Sequence, residues 1–357
     1  LEVGNPVLTT ITAAGAAAMA VLRNHAELLE ILSTSLVVMT AGAVTIGLAV
    51  YFAAPAHRWR SRTVRPRVLA RALLPRRILR SASGRLDVAA MLFSVLLAGT
   101  TLGWALLSSG FVAEAGGAFL ARSLPAVPVA PVPAWIAAAI TAVALYLAYE
   151  LAYWIDHYLS HRVPILWEFH KVHHTAESLS VLTNYRVHPV DTIVFHNIAA
   201  VMTGVTAALL GYVFNRPAQA VAVSSSNLIV FVTSMSLSHL QHSHLWISLP
   251  GRWGKWVMSP AHHQIHHSID VAHYDRNFGS TTALFDRLFG TLHMPSAKRQ
   301  KLTFGVKGVG YDPHGFRGAV LMPFVDAGKH VVRRVHRWQR TSGGEDGLRL
   351  PRGSGAI

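Results

Sequence analysis

Residues 133–161, PAWIAAAITAVALYLAYELAYWIDHYLSH, decide the fold. Up to Ile155 the run is apolar, with Glu150 as its one charge, and it exceeds the roughly 20 residues a helix needs to cross a bilayer. His157-Tyr-Leu-Ser-His161 follows at once. If the helix continues past the bilayer, the i, i+4 spacing sets both imidazoles on one face. One stretch therefore predicts a membrane span and, at its exit, a pair of side chains suited to metal.

Four further stretches are long and apolar enough to span, at about 31–54, 88–111, 191–214 and 218–238. Residues 6–22 are shorter and rich in Ala and Thr, open between a weak span, an interfacial helix and a targeting segment. The chain is 52% hydrophobic and only 14% charged, against about 25% charged in soluble domains, so its solvent is in large part lipid. The net charge of +15 falls beside apolar spans, where anionic headgroups attract Arg and Lys; the partner it implies is a membrane and not nucleic acid. The absence of cysteine excludes disulfides, zinc–thiolate sites, iron–sulfur clusters and a cysteine nucleophile.

From Arg58 to Arg85 there are ten arginines and no acidic residue, which marks that loop as cytoplasmic. Counting spans from there, the chain leaves at 88–111, passes through 112–132 and returns at 133–155. It then makes a hairpin over 191–238 and ends inside. Every histidine box falls on the same face. The expected fold is all-α: a polytopic membrane helix bundle of four to six spans with a cytoplasmic helical cap carrying the histidines. Its parts are an N-terminal segment, 1–30, and N-terminal spans, 31–130, with an Arg-rich loop at 55–87. A catalytic domain, 131–295, and a basic cytoplasmic tail, 296–357, disordered from about Ser342, follow. High Arg and Ala usage points to a bacterial inner membrane.

Fifteen of the 21 histidines lie between His157 and His273. His170-Lys-Val-His173-His174 and His263-Gln-Ile-His266-His267 share one spacing, i, i+3, i+4. His239 and His242 sit i, i+3 at the exit of the last span. Imidazole ligates Fe, Zn, Cu or Ni, and so many titratable rings packed together without metal would leave buried donors and acceptors unpaired. Nine or ten ligands exceed what one ion holds, so two ions are expected. His25, His57, His314, His330 and His336 are isolated and read as surface or interfacial groups, and His196 as an interhelical hydrogen-bonding group. His188, just before a span re-enters, is read as oriented by Asp191 or as an extra ligand. His244, His262 and Asn277 are placed around the ligands. Trp154, Trp167, Trp246, Trp253 and Trp256 read as interfacial anchors.

The stretches Leu166-Trp-Glu-Phe-His170-Lys-Val-His173-His174, Arg186-Val-His-Pro, Ser259-Pro-Ala-His-His-Gln-Ile-His-His-Ser268, Asp275-Arg-Asn-Phe-Gly279 and Phe285-Asp-Arg-Leu-Phe-Gly-Thr291 resemble the fatty acid hydroxylase/sterol desaturase superfamily of membrane di-iron oxygenases. The resemblance covers about Tyr149 to His293. It implies that His157, His161, His170, His173, His174, His242, His263, His266 and His267 ligate two Fe ions, with His239 as a tenth ligand and Zn as the ion purified protein could carry instead. Tyr158 stands where the family has Arg, Asp191 replaces Glu, His244 stands where Asn is common, and Phe278 and Phe285 replace Tyr and Trp.

The expected reaction is O2-dependent hydroxylation of an unactivated C–H bond on a membrane lipid (fatty acyl, sterol or related), with desaturation as the neighbouring outcome. The metal site carries the chemistry, and no separate acid or base is assigned. No fused haem domain and no GxGxxG with a βαβ pattern is present. No bound nucleotide is therefore expected, and electrons come from a separate donor, a ferredoxin or a cytochrome b5-like protein with its reductase. A zinc protease would need HExxH, and no His here is followed by Glu. A metal transporter would place ligands near the bilayer midplane. A structural zinc protein shares the same ligands. The sequence gives no signal for oligomeric state.

Overall fold

The structure, a computed structural model, describes residues 74–96, 107–125, 132–216, 240–249 and 251–342. The expected spans at 31–54 and 218–238, the 6–22 run, His239 and the tail after 342 lie outside them. Among the described residues the fold is helical, with no strand and two isolated bridges, Val257 to Thr282 and Ser268 to Phe304.

The helices are α1 (Arg76–Arg80), α2 (Ala82–Leu96), α3 (Ser109–Ser123), α4 (Ala134–Arg162), α5 (Pro164–His174), α6 (Pro189–Val213), α7 (Pro260–His266), α8 (Leu284–Leu288) and α9 (Met322–Ser342). Prolines set the boundaries that matter. Pro133 precedes α4, while Pro164, Pro189 and Pro260 open α5, α6 and α7. At a first helical position the missing N–H costs nothing, and the fixed φ suits the turn.

Two described helices are long and apolar enough to cross a membrane, α4 and α6. Their outward side chains, Trp135, Val143, Val201 and Leu209 among them, are exposed, as lipid-facing positions should be. The 29 residues of α4 give about 43 Å of helix, against a hydrocarbon core of about 30 Å. The surplus carries its last turns, with His157 and His161, past the apolar span. The α4 helix arrives at the end from which α6 departs, so the histidines gather at one end of both.

Of the segment expected as a single span at 88–111, residues 97–106 lie outside the described ones; α2 covers its start as far as Leu96, and a separate helix, α3, begins at its end. Asp87 is fully buried within α2, and Ser108 caps a new helix, its side chain accepting from Phe111 N at 3.0 Å. The resulting α3 occupies much of 112–132, expected as a connection. It runs parallel to α6: Leu107 N meets Asn197 Oδ1 near one end, and Tyr212 Oη donates to Pro125 O at the other. The pair is close because small residues line it. A Cβ on Gly204 would stand 2.6 Å from Val112 Cβ and 2.8 Å from Ser109 O, so contact between the helices depends on that missing side chain.

The 296–357 region, expected as a tail, holds α9, which packs on α5. Buried Lys171 on α5 pairs with Glu168 of its own helix and with Asp326 on α9, and Glu168 takes His330 at 2.9 Å. His330 is thus a packing group, contrary to the bystander reading. His196 is corrected too: its Nδ1 bonds Thr192 O within its own helix, at 2.8 Å.

Candidate metal centre

Nine of the ten histidines expected as ligands converge, and they do so in two groups. His157, His161, His170, His174 and His266 form one; His173, His242, His263 and His267 form the other. Within each group the candidate ligand atoms lie within 4.8 Å of one another. The division follows helix geometry. Successive residues on a helix are about 100° apart, whereas i and i+4 nearly coincide. Each i, i+4 pair therefore stays together (157 with 161, 170 with 174, 263 with 267), and each i+3 histidine crosses to the other group. His173 from α5 joins the 263/267 pair; His266 from α7 joins the other two. The two groups abut where His174 stacks on His267 at 4.4 Å.

The inward atoms are Nε2. His174 Nε2 lies 3.1 Å from His161 Nε2 and 3.2 Å from His266 Nε2. His242 Nε2 lies 2.9 Å from His173 Nε2 and 2.8 Å from His263 Nε2, which is 3.1 Å from His267 Nε2. A ring nitrogen either donates or accepts, never both, so one proton on His242 Nε2 cannot link both neighbours in a chain of single hydrogen bonds. Among the described residues, His157 Nε2 and His170 Nε2 are buried with no hydrogen-bond partner. Ligands about 2.1 Å from one ion stand roughly 3.0–3.4 Å apart, close to these spacings. The residues fit one cation per group.

The outward Nδ1 atoms show how the chain orients the rings. His157 Nδ1 donates to Phe278 O at 2.8 Å and His266 Nδ1 to Arg276 O at 2.8 Å. Both carbonyls come from the loop Asp275-Arg-Asn-Phe-Gly279, where Asp275 and Asn277 adopt positive φ. Asp286 fastens that loop: its buried carboxylate accepts from Phe278 N at 2.8 Å, Gly279 N at 2.7 Å, Thr291 Oγ1 at 2.5 Å and Trp154 Nε1 at 3.3 Å. Gly279 has to be glycine, because a Cβ there would lie 2.5 Å from Thr282 O. Asn277 stitches the loop to its neighbours through His262 O and His293; it faces no ligand nitrogen. Glu150, buried in α4, holds the next turn through Thr281 N, Thr281 Oγ1 and Thr282 N.

His170 Nδ1 bonds Asp191 Oδ2 at 3.0 Å. Asp191 was expected to orient His188, and the structure gives it to His170 instead. His188 caps α6, Nδ1 accepting from Val190 N at 3.1 Å and Nε2 donating to Val320 O at 3.1 Å. Both its nitrogens are committed outside the two groups. His173 Nδ1 bonds Arg186 O at 3.3 Å. Arg186 is buried and spans Val172 O, Thr175 Oγ1, Ser83 and Asp87, with His314 at 2.7 Å. His262 caps α7 through Ser259, and His244 lies in neither group.

Burial, reinforced by neighbouring imidazoles, holds His173, His174, His263 and His267 well below the ordinary histidine range and pushes His242 and His266 down to about 3. The rings are neutral, the form that ligates metal. A cavity of about 380 Å³ reaches both groups past Trp167, bordered by His161, His174, His266, His267 and Lys307. Trp167 sits 5.2 Å from the His161 ring and 5.5 Å from His174, and Trp154 is buried, stacked on Tyr158 and Phe289. Trp167 lines the cavity, and Trp154, being buried, is not an interfacial anchor. Trp253 and Trp256 are exposed, in keeping with that role.

Sequence reasoning missed Asp286, Glu150, Arg186 and Asp87. Asp286 and Arg186 stand inside quoted motifs, but Arg186 pairs with Asp87 from 99 positions away, and the partners of Asp286 include backbone N–H groups, which carry no residue-type signature.

The model of the fatty acid hydroxylase family matches residues 142–291. The alkylglycerol monooxygenase of Xenopus tropicalis is 24% identical over 164 residues, 45% of this chain and 32% of that protein. The human alkylglycerol monooxygenase is 24% identical over 170 residues, with the same shares. The ornithine lipid hydroxylase OlsE of Rhizobium tropici is 25% identical over 183 residues, 51% of this chain and 50% of that protein. The aligned region thus spans a third to a half of these curated relatives. No solved structure matches the chain.

Proposed function

We propose that the chain, whose residues 142–291 match the fatty acid hydroxylase family, is a membrane di-iron oxygenase that hydroxylates an unactivated C–H bond of a lipid. The observation that carries this reading is the convergence of nine histidine ring nitrogens into two adjoining groups. The relatives support the substrate class, being named for alkylglycerol and ornithine lipid. The overall balance is R–H + O2 + 2 e⁻ + 2 H⁺ → R–OH + H2O, with the electrons supplied by a separate protein donor.

Iron bound to both groups supplies the oxygen chemistry that no side chain provides. The chain's own work is to position and to shield. Asp286, through the carbonyls of Arg276 and Phe278, fixes the rings of His266 and His157. Asp191 fixes His170 and strengthens it as a donor. The helices α4 and α6 bring this end of the bundle to the membrane surface, so a lipid chain reaches the metals from the bilayer while the groups stay buried. Desaturation needs the same first hydrogen removed and is the alternative outcome at this site. The Arg-rich loop supports placing the histidine groups on the cytoplasmic side, and high Arg and Ala usage supports a bacterial inner membrane.

The test is mass spectrometry of membrane lipids from cells with and without the protein under 18-O2. One labelled oxygen in a lipid supports hydroxylation, and loss of two hydrogens reassigns the enzyme as a desaturase. Unchanged lipids together with a redox-silent zinc pair in the purified protein would replace the oxygenase reading with a structural or transport zinc protein.

A further inference from the structure

The α9 helix carries one acidic residue, Asp326, against five Lys and Arg. Asp326 is turned inward onto Lys171 and also pairs with Lys329 at 2.7 Å, which leaves the arginines as the excess positive charge. What remains is a basic face and an apolar face. Val331, Val335 and Trp338 follow one another at four- and three-residue steps along one stripe, with Val332 beside them and Phe324 and Val325 seven residues before Val331 and Val332, and all six are 45–68% exposed. Lys329, Arg333, Arg334 and Arg337 fill the other side. A stripe of that length left open on a soluble surface is an association liability. A helix with a basic face and a Val, Phe and Trp face suits the boundary between headgroups and acyl chains.

The position of the helix agrees. Val320, in the turn that leads into α9, accepts from His188 Nε2, and His188 caps the start of the membrane-crossing α6. Phe324 packs 5.2 Å from the His188 ring and 5.2 Å from Phe169. The start of α9 is therefore pinned at the level where α6 enters the apolar layer. We infer that α9 is a membrane-surface helix, its Val332–Val335–Trp338 stripe immersed among acyl chains and its arginines bound to anionic lipid headgroups. Through Asp326 and His330 it grips Lys171 and Glu168 on α5, the helix that supplies His170, His173 and His174. The histidine-bearing helix is thus registered against the lipid surface directly as well as through α4 and α6.

The chain has no cysteine, so Val332→Cys, Val335→Cys and Arg333→Cys each give a single attachment point for a nitroxide label in the full-length protein. The label is read in nanodiscs of phosphatidylcholine with and without phosphatidylglycerol. At 332 and 335 it should collide with dissolved O2 in preference to a water-soluble nickel chelate, and at 333 the preference should reverse. Removing Arg333 and Arg334 by alanine substitution in the Val335→Cys background should weaken the phosphatidylglycerol-dependent part of that signal about fivefold per residue. A label at both 332 and 335 that meets the chelate freely would show a water-facing helix. One shielded from both reagents would show protein cover, from a second copy or another segment of this chain. Either result overturns the inference.

Discussion

The two histidine groups are built from the same side chain at the same spacing, yet the chain braces them unequally. In the five-histidine group, His157, His170 and His266 each donate Nδ1 to a carbonyl or carboxylate, and His161 has Asp275 at 3.9 Å. In the four-histidine group, among the described residues, only His173 has such a partner; the Nδ1 atoms of His242, His263 and His267 are buried and have none there. Partners of that kind set the ring's angle and its donor strength. One group is therefore preorganised by the protein, and the other would take its geometry from packing and from the ion proposed for it.

The largest expected effect is common to both groups and sets a baseline for the contrast. Burial lowers His173, His174, His263 and His267 from an ordinary value of 6.5, and His242 and His266 to about 3. The unfolded chain then binds more protons than the folded one anywhere between those values. Stability of the metal-free protein should be fully present above about pH 6.5 and fall as the pH drops below it, by roughly 1.4 kcal/mol per pH unit per histidine. Thermal unfolding of apoprotein across that range measures it, and a flat profile would contradict neutral buried rings.

Next in size is Asp286→Ala, which frees the loop bearing the Arg276 and Phe278 carbonyls. Loss of a buried carboxylate with four donors should cost about 3 kcal/mol of stability. It should empty the five-histidine group before the other, as read by metal content. Equal loss from both groups would erase the asymmetry. Asp191→Asn acts on His170 alone and should weaken metal binding about 10–100-fold in the five-histidine group only. The smallest effect belongs to His188→Ala, which removes a helix cap for about 1 kcal/mol and should leave metal content at two per chain. A lost metal there would restore His188 to the ligand list.

The spacing of the boxes was readable in the sequence because 3.6 residues per turn makes i and i+4 neighbours. The sorting into groups is implicit in the same geometry, since His173 and His174 cannot share a direction. The bracing was not readable. The carbonyl of Phe278 reaches His157 across 121 positions, and a carbonyl has no residue-type signature. Ser108 was an available sign that the 88–111 run breaks, but apolar composition alone cannot separate one long helix from two. The α9 stripe was hidden by its charge, since a basic amphipathic helix and a basic tail share a composition and differ only in periodicity.

The central claim is a two-metal centre made by nine histidines, and its direct test is iron stoichiometry of the full-length protein reconstituted anaerobically with ferrous iron. The account predicts two irons per chain in the parent, and one in His263→Ala, where the four-histidine group alone is broken. One iron in the parent, or two retained in His263→Ala, would contradict it.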